Sequence, residues 1–367
     1  MKREAYAAAR TVAPALHSYF VSHRNMALAR GTREIAPLPD EDVMEAMIDA
    51  AFWTSLRREE GYATRISLVY LPVEQAGTPI LFERLLPLDP AALTRLAPAV
   101  ERPGIHLGVW RTQDELGVWG ATRAIPLLSF VVEVAAPGLL VIKHHNGEET
   151  RKFVNVAVLE GDQIKMVDEE ASGRPDSPHL LRSLLQFDSP ESGWKSVITV
   201  VRLAVSMRQH GRGGTLLLVP AESESWRESI MQPMPYAVSP PFVQLSGLDK
   251  QSAGPAIAAI GGLTAVDGAT LLNSRYELLG FGAKIVRRRG SPAVDEVLLS
   301  EPIHGSTPVL MHTDQLGGTR HLSAAQFVND QKDAVALVAS QDGRFTVFEW
   351  SPADHRVHAH RMETLLL

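Results

Sequence analysis

The chain reads as two domains in tandem: an N-terminal α+β domain with an antiparallel sheet, then a C-terminal α/β domain whose mixed sheet is flanked by helices. Three observations lead there. Strand-like runs of even spacing, joined by short turns, follow one another between residues 64 and 167, the pattern of an antiparallel sheet. Past residue 195 the order becomes helix, glycine turn, strand, helix, strand, the alternation of a sheet covered by helices. A length of 367 residues is enough for two cores. Domains are therefore expected at 1–187 and 195–352, joined by a linker at Asp188–Gly193 and followed by a tail at 353–367.

In the first domain, residues 1–30 form one or two helices with an alanine-rich face. Pro37-Leu38-Pro39-Asp40 announces the next helix. Asp40 is a ready N-cap, and Glu41 and Asp42 favour the positive end of the helix dipole. Met44, Met47, Ile48 and Ala51 make its buried stripe, which core packing explains better than any ligand. Strands follow at Ile66–Tyr70, Ile105–Trp110, Leu116–Gly120, Phe130–Val134, Leu139–Lys143, Phe153–Leu159 and Ile164–Val167, with a turn at Gln113-Asp114-Glu115. Trp110 and Trp119 could stack a base, but on alternating strands they read as core. His144-His145-Asn146-Gly147 reads as a turn, because adjacent histidines point apart and cannot share a metal. No function can be assigned to this domain from these residues.

In the second domain, Val197, Val200, Val201, Ala204 and Val205 fall at helical spacing. Gly211 ends that helix and Thr215–Pro220 is a buried strand. Ala221–Pro241 is polar and proline-rich, hence a long surface loop. A helix at Ser252–Ile260 leads to Asp267. Ala269–Leu272 is a strand, Asn273-Ser274 a turn, and Tyr276–Leu279 a second strand. Arg287-Arg288-Arg289 reads as a solvated loop, with phosphate contact as its functional alternative. His304 and His312 read as surface residues in the spacer that follows. A helix starts at Thr319, and Ala334–Ala339 is a further strand.

Two short motifs carry the chemistry. In Asp267-Gly268-Ala269 a carboxylate opens a strand beside a residue without Cβ, an arrangement that suits a hard cation or a ribose hydroxyl. In Gly317-Gly318-Thr319-Arg320-His321 a glycine turn runs into a helix start. Such a start binds anions through free N–H groups and the helix dipole, and Arg320 adds a planar fork for phosphate. Each motif alone is weak, since Asp-Gly is mainly a turn dipeptide. Together, an acid for metal or sugar and a loop with arginine for phosphate make a nucleotide site.

At these residues the second half of the chain resembles the diadenylate cyclase (DisA-type, DAC) domain. That family carries Asp-Gly-Ala and Gly-Thr-Arg-His-Arg in this order and joins two ATP into cyclic di-AMP. The helix, glycine and strand opening at 197–220 extends the likeness upstream. The resemblance implies that Asp267 holds metal and the ribose 3′-OH. It implies nucleotide contacts from Asp267, Gly268, Ala269, Gly318, Thr319, Arg320, His321 and Ser340. Asp267, Arg320 and His321 would be catalytic in an active enzyme, with Mg²⁺ or Mn²⁺ as cofactor. Two departures stand out: Ser340-Gln341-Asp342 replaces Ser-Glu-Glu, and Leu322 replaces the family's second arginine. Losing one preorganised donor typically costs about 100- to 1,000-fold in rate.

The chain is thus most similar to the sensor-type (DACNV-like) relatives of that domain. It is expected to bind ATP or a cyclic dinucleotide with weak or no turnover, and to pass its ligand state to the N-terminal domain or an effector protein. An active diadenylate cyclase is the alternative. It would need two facing protomers, hence a homodimer or larger homo-oligomer. A structural interaction module is the second alternative, should the motifs be coincidence. Composition narrows the field further. A net charge of −6 argues against non-specific nucleic-acid binding. The absence of cysteine excludes disulfides and cysteine chemistry and points to a reducing cytoplasm. The most apolar stretch, Ile125–Ile142, is broken by Glu133 and Pro137-Gly138, so two strands are expected there and no membrane span. The N-terminus has no apolar core of signal-peptide type.

Overall fold

The computed structural model describes residues 4–366 apart from 33, 103, 113–114, 146–152, 169–192, 243–252 and 342. The expected turns at Gln113-Asp114 and Asn146-Gly147, the linker Asp188–Gly193 save its last residue, and Asp342 lie outside the described residues. The chain divides into two compact units, residues 1–167 and 168–366.

Among its described residues the first unit has three α-helices, a short hairpin and one large sheet. Helix α1 is Ala7–Ala29 and α2 is Glu41–Ser55. A short hairpin, β1 Arg58–Glu59 and β2 Tyr62–Ala63, leads to β3 Ser67–Tyr70 and β4 Ile80–Pro87. Then come α3 Pro90–Val100, β5 His106–Thr112, β6 Glu115–Thr122, β7 Phe130–Ala136, β8 Leu139–His145, β9 Phe153–Glu160 and β10 Gln163–Met166. The eight strands lie in the order β10-β9-β8-β7-β3-β5-β6-β4. All neighbours are antiparallel except β3 and β5. Asp40 caps α2 by accepting from the Val43 N–H at 2.8 Å. Asp89 does the same for α3, accepting from Ala91 and Ala92, with Pro90 at the first helical position where no N–H is needed.

The helices bury one face of this sheet. Leu16, Phe20, Met44, Met47, Ile48 and Leu93 pack with strand residues such as Leu68, Leu107, Phe130 and Ile142, so the methionine stripe is core. A smaller cluster of Ala36, Val69, Leu71, Ile125 and Val131 covers the other face. Trp119 is buried and donates its indole N–H to the Leu71 carbonyl at 2.7 Å, while Trp110 leans on Tyr70 with ring centres 4.6 Å apart. Strand β4 and helix α3 were not expected from the sequence. β4 is an edge strand whose pairing to β6 shifts register between Leu81 and Leu86, and most of it is exposed. Its apolar residues therefore do not alternate.

Two buried histidines are expected to make this unit acid-sensitive. Burial first, then the charges of Lys143 and His145, pushes His106 from 6.5 down to about 4. Burial also pushes His144 down to about 4, against the bond its Nδ1 makes at the His145 carbonyl. Both are neutral in the fold and protonate readily in the unfolded chain. Their contribution is complete above pH 6.5 and is lost as pH falls from there to about 4, on the order of 3 kcal/mol for each. The urea midpoint of the first unit should fall clearly between pH 7 and 4.5; a midpoint that holds constant would contradict this.

The second unit starts with α4 Gly193–Gln209, β11 Gly214–Val219 and β12 Tyr236–Phe242. It continues through α5 Ala253–Leu263, β13 Ala269–Asn273, β14 Leu278–Ala283, β15 Glu296–Ser300 and β16 Val309–His312. It closes with α6 Thr319–Asp330, β17 Val335–Ala339, β18 Phe345–Ser351 and β19 Arg356–Arg361. The nine strands run β12-β14-β13-β11-β17-β18-β19-β15-β16. β11 with β13 and β15 with β19 are parallel, and the other neighbours antiparallel, so the sheet is mixed.

Alternate strand residues feed two cores. Leu216, Leu218, Leu272 and Leu337 pack under α4 and α5. Leu217, Leu271, Ala336 and Phe348 pack under α6, against Ala324, Ala325, Phe327 and Val328. Three stretches differ from expectation. The supposed loop 221–241 contains most of the edge strand β12, where prolines are tolerated because one side needs no ladder bonds. The spacer after Arg289 supplies β15 and β16. The supposed tail at 353–367 supplies β19, which pairs on both sides, with β18 and β15.

Candidate functional site

The site is built on one row of residues across the centre of the second sheet. Ala283 pairs with Ala269, Ala269 with Thr215, and Thr215 with Val338. Three of these side chains are small or short, so the row leaves a depression. The β13 end of the floor requires a glycine. Gly268 has φ +103°, and a Cβ there would stand 2.5 Å from the Gly282 carbonyl carbon. The backbones of β13 and β14 meet too closely for any side chain.

Helix α6 forms the wall above this floor. Its N-cap is Gly318, whose lack of a side chain leaves the first-turn N–H groups without a capping oxygen. The His321 N–H turns back to the Gly318 carbonyl at 3.0 Å. His321 is buried with its ring edge-on to Phe348, and Phe327 one turn and a half further on is fully buried. These two contacts fix where the helix start points. Arg320 is half-buried. Its Nη1 lies 3.2 Å from where a Cβ of Gly213 would be, and Gly213 has φ +71°, so this glycine leaves room for the guanidinium.

The result is a cavity of about 630 Å³, within the range of small-molecule sites. Asp267, Gly268, Ala269, Gly318, Thr319, Arg320, His321 and Ser340 all line it. The residues the sequence singled out, scattered from 267 to 340, are therefore brought together. Thr215, Ala283, Lys284, Ile285, Ser323, Val338 and Ala339 complete the lining and were missed. The sequence holds one faint signal for Lys284, a single cation closing the apolar run Leu278–Ala283. Thr215 and Val338 join only through strand pairing.

The charges are unequal. Arg320 and Lys284 are the cations of the lining, and Asp267, exposed at the rim, is its carboxylate. No group of three or more His, Asp or Glu side chains able to hold a metal occurs among the described residues. A divalent cation here would have one protein carboxylate and would draw its other ligands from phosphate oxygens and water, which Mg²⁺ accepts.

Other expectations are settled by placement. Leu322 is 43% exposed on α6 and is not part of the lining. The arginine run is not part of it either. The Arg288 N–H donates to Asp330 at 2.7 Å and its guanidinium pairs with Glu228 at 2.6 Å, so this loop is pinned to the far end of α6. His304 and His312 are exposed, beside Asp168 and Asp314. Ser340 follows β17 directly, its N–H bonded to the Arg344 carbonyl at 2.9 Å.

Residues 33–123 match the family DACNV, described as a probable sensor domain. The match covers about a quarter of the chain. It falls in the first unit, upstream of the cavity and of the motifs that carry the diadenylate cyclase resemblance. It fits a sensor-type family related to that domain. No curated protein matches the chain. Among solved structures there is a likeness to the hypothetical membrane spanning protein from Bacillus cereus. It has 20% identity and a TM-score of 0.26 over 47% of this chain and 72% of that one, too low to support an argument. No described helix of the present chain is long and apolar enough to cross a membrane.

Proposed function

We propose that the cavity of the second unit binds an adenine nucleotide or a cyclic dinucleotide, and that the chain is a sensor with weak or no turnover. One observation carries the reading: every residue chosen from sequence as a nucleotide contact lines a single cavity of suitable size. The chemistry is consistent. The α6 start and Arg320 offer a seat for phosphate. Asp267 offers an acceptor for a ribose hydroxyl or for Mg²⁺ or Mn²⁺. The probable sensor domain in the first unit supports a sensing role over a purely catalytic one. The preference for adenine comes from the resemblance alone.

An active diadenylate cyclase is the second reading, favoured by the presence of Asp267, Thr319, Arg320 and His321 in the lining. Weighing against it, the position of the family's second arginine holds an exposed leucine outside the lining. Incubation with ATP and Mn²⁺ followed by mass spectrometry separates the two, since steady accumulation of cyclic di-AMP would establish the cyclase. For the binding itself, Arg320→Ala should raise the Kd for ATP about tenfold or more, from the loss of a charge-assisted hydrogen bond. Arg288→Ala should leave it unchanged, because its guanidinium is engaged by Glu228. Equal effects in calorimetric titrations of the two variants would misplace the phosphate site.

A further inference from the structure

We propose that Lys284 is a second phosphate-binding cation of this cavity, facing Arg320 across the floor, and that it makes the site prefer ligands with two phosphates over those with one. The proposal rests on the nucleotide reading above.

The row Ala283, Ala269, Thr215, Val338 gives the geometry. Lys284 follows Ala283 directly and so stands at the β14 end of the row. Arg320 reaches in from α6, with its guanidinium beside Gly213, the residue before β11. β14 and β11 are two strands apart in the sheet. At about 4.8 Å per strand, the Arg320 head group and the Lys284 backbone stand roughly 10 Å apart. A lysine stem is long enough to cross part of that gap and leave the space of a short phosphate chain between two positive ends.

Electrostatics single out this lysine. Many cations of the second unit are already spoken for: Arg275 by Glu222, Arg288 by Glu228, Arg361 by Glu301. Among the described residues, neither Lys284 nor Arg320 has a carboxylate partner, and both line the cavity. Two cations without a carboxylate partner in the lining of one cavity create a local positive potential that an anion would relieve. One phosphate is satisfied by the α6 start and the Arg320 fork. A second has Lys284 as its remaining cation. An ammonium on a flexible stem suits that task, because it follows a terminal phosphate whose position varies with the ligand. The charge absent from α6 at Leu322 is thus supplied from the sheet.

The test is calorimetric titration of the full chain with ATP, ADP, AMP and cyclic di-AMP, each with Mg²⁺, on wild type, Lys284→Gln and Lys284→Arg. Lys284 is exposed, so these variants are expected to fold, and urea midpoints verify it. Lys284→Gln should weaken ATP, ADP and cyclic di-AMP about tenfold, the loss of one charge-assisted contact. AMP should change less than about twofold, well inside that margin. Lys284→Arg should restore binding. If Lys284→Gln weakens AMP as much as ATP, or leaves every ligand unchanged, the proposal is overturned while the nucleotide reading stands. Should wild type bind cyclic di-AMP alone, an unchanged Kd in Lys284→Gln overturns it equally. If wild type binds none of the four, the nucleotide reading falls and this proposal falls with it.

Discussion

Phe327→Ala is expected to lower the unfolding free energy of the second unit by about 3–5 kcal/mol. The ring is fully buried in α6 and packs in the core that includes Leu217, Leu271 and Phe348. Deleting it removes apolar area and leaves a void that rigid strands on the other side cannot fill. A loss of that size is a large share of the roughly 5–15 kcal/mol that hold a typical domain together. The effect should be confined. The cores of the first unit contain no residue of α6, so hydrogen exchange in urea should show early opening of the second unit and unchanged protection in the first. Because α6 and its N-cap carry residues 318–321 of the cavity, nucleotide affinity should fall together with stability. A loss below about 1 kcal/mol would mean that this core relaxes around the gap, or that α6 is not seated as described.

Gly268→Ala should damage both stability and binding. The φ of +103° is one that alanine rarely adopts, and the new Cβ would lie 2.5 Å and 2.7 Å from the Gly282 carbonyl carbon and oxygen. Backbone strain alone costs about 1–3 kcal/mol, and the overlap can be relieved only by parting β13 from β14. That movement separates Asp267 and Ala269 from Ala283 and Lys284, which flank the seam on either side. The thermal midpoint and the affinity for ATP are therefore expected to drop together. Gly262→Ala is the control. It stands in α5 with nothing within 4 Å of the added methyl, so it should be neutral or stabilising by up to about 1 kcal/mol. If Gly268→Ala behaves like Gly262→Ala, the floor is not built as described.

Much of this architecture was legible in the sequence because burial imposes periodicity. The strands that lie deep in the sheets, such as β5, β7, β8, β11 and β17, announce themselves as apolar runs. α2 announces itself through Asp40. What escaped notice lies at edges or depends on partners. β4 and β12 are edge strands, one with shifted register and one with prolines, and neither alternates. β19 reads as polar because His358, His360 and Arg356 occupy it. In the structure His360 finds Glu349 on the neighbouring strand β18, a partner that only strand pairing reveals. The site follows the same rule. Its motif residues could be named from their own chemistry, since an acid beside a glycine and an arginine at a helix start each suggest an anion or cation locally. Thr215 and Val338 belong to the cavity only because β11 lies between β13 and β17. Within the arginine run, Arg288 was ambiguous for the same reason, since its partners Glu228 and Asp330 are distant in sequence. The first unit shows no such motif, and its match to a probable sensor domain comes from likeness to a family.

The matched stretch 33–123 and the folding unit around it are not the same object. The stretch supplies α2, α3 and the strands β3, β4, β5 and β6, which is half of the first sheet. The other half, β7 to β10, comes from later residues, and α1 from earlier ones. The seam between the halves is the pairing of Ser67, Leu68 and Val69 with Glu133, Val132 and Val131. Cut free at residue 123, the stretch would bare that seam as an unpaired row of backbone groups along one of the most buried strands of the unit. It would also leave α2 without α1, one of the two helices that pack against it. Such an edge recruits other chains. The matched stretch is thus shorter than the unit that closes its own sheet. In this chain the matched stretch needs β7 to close the sheet before it can stand free.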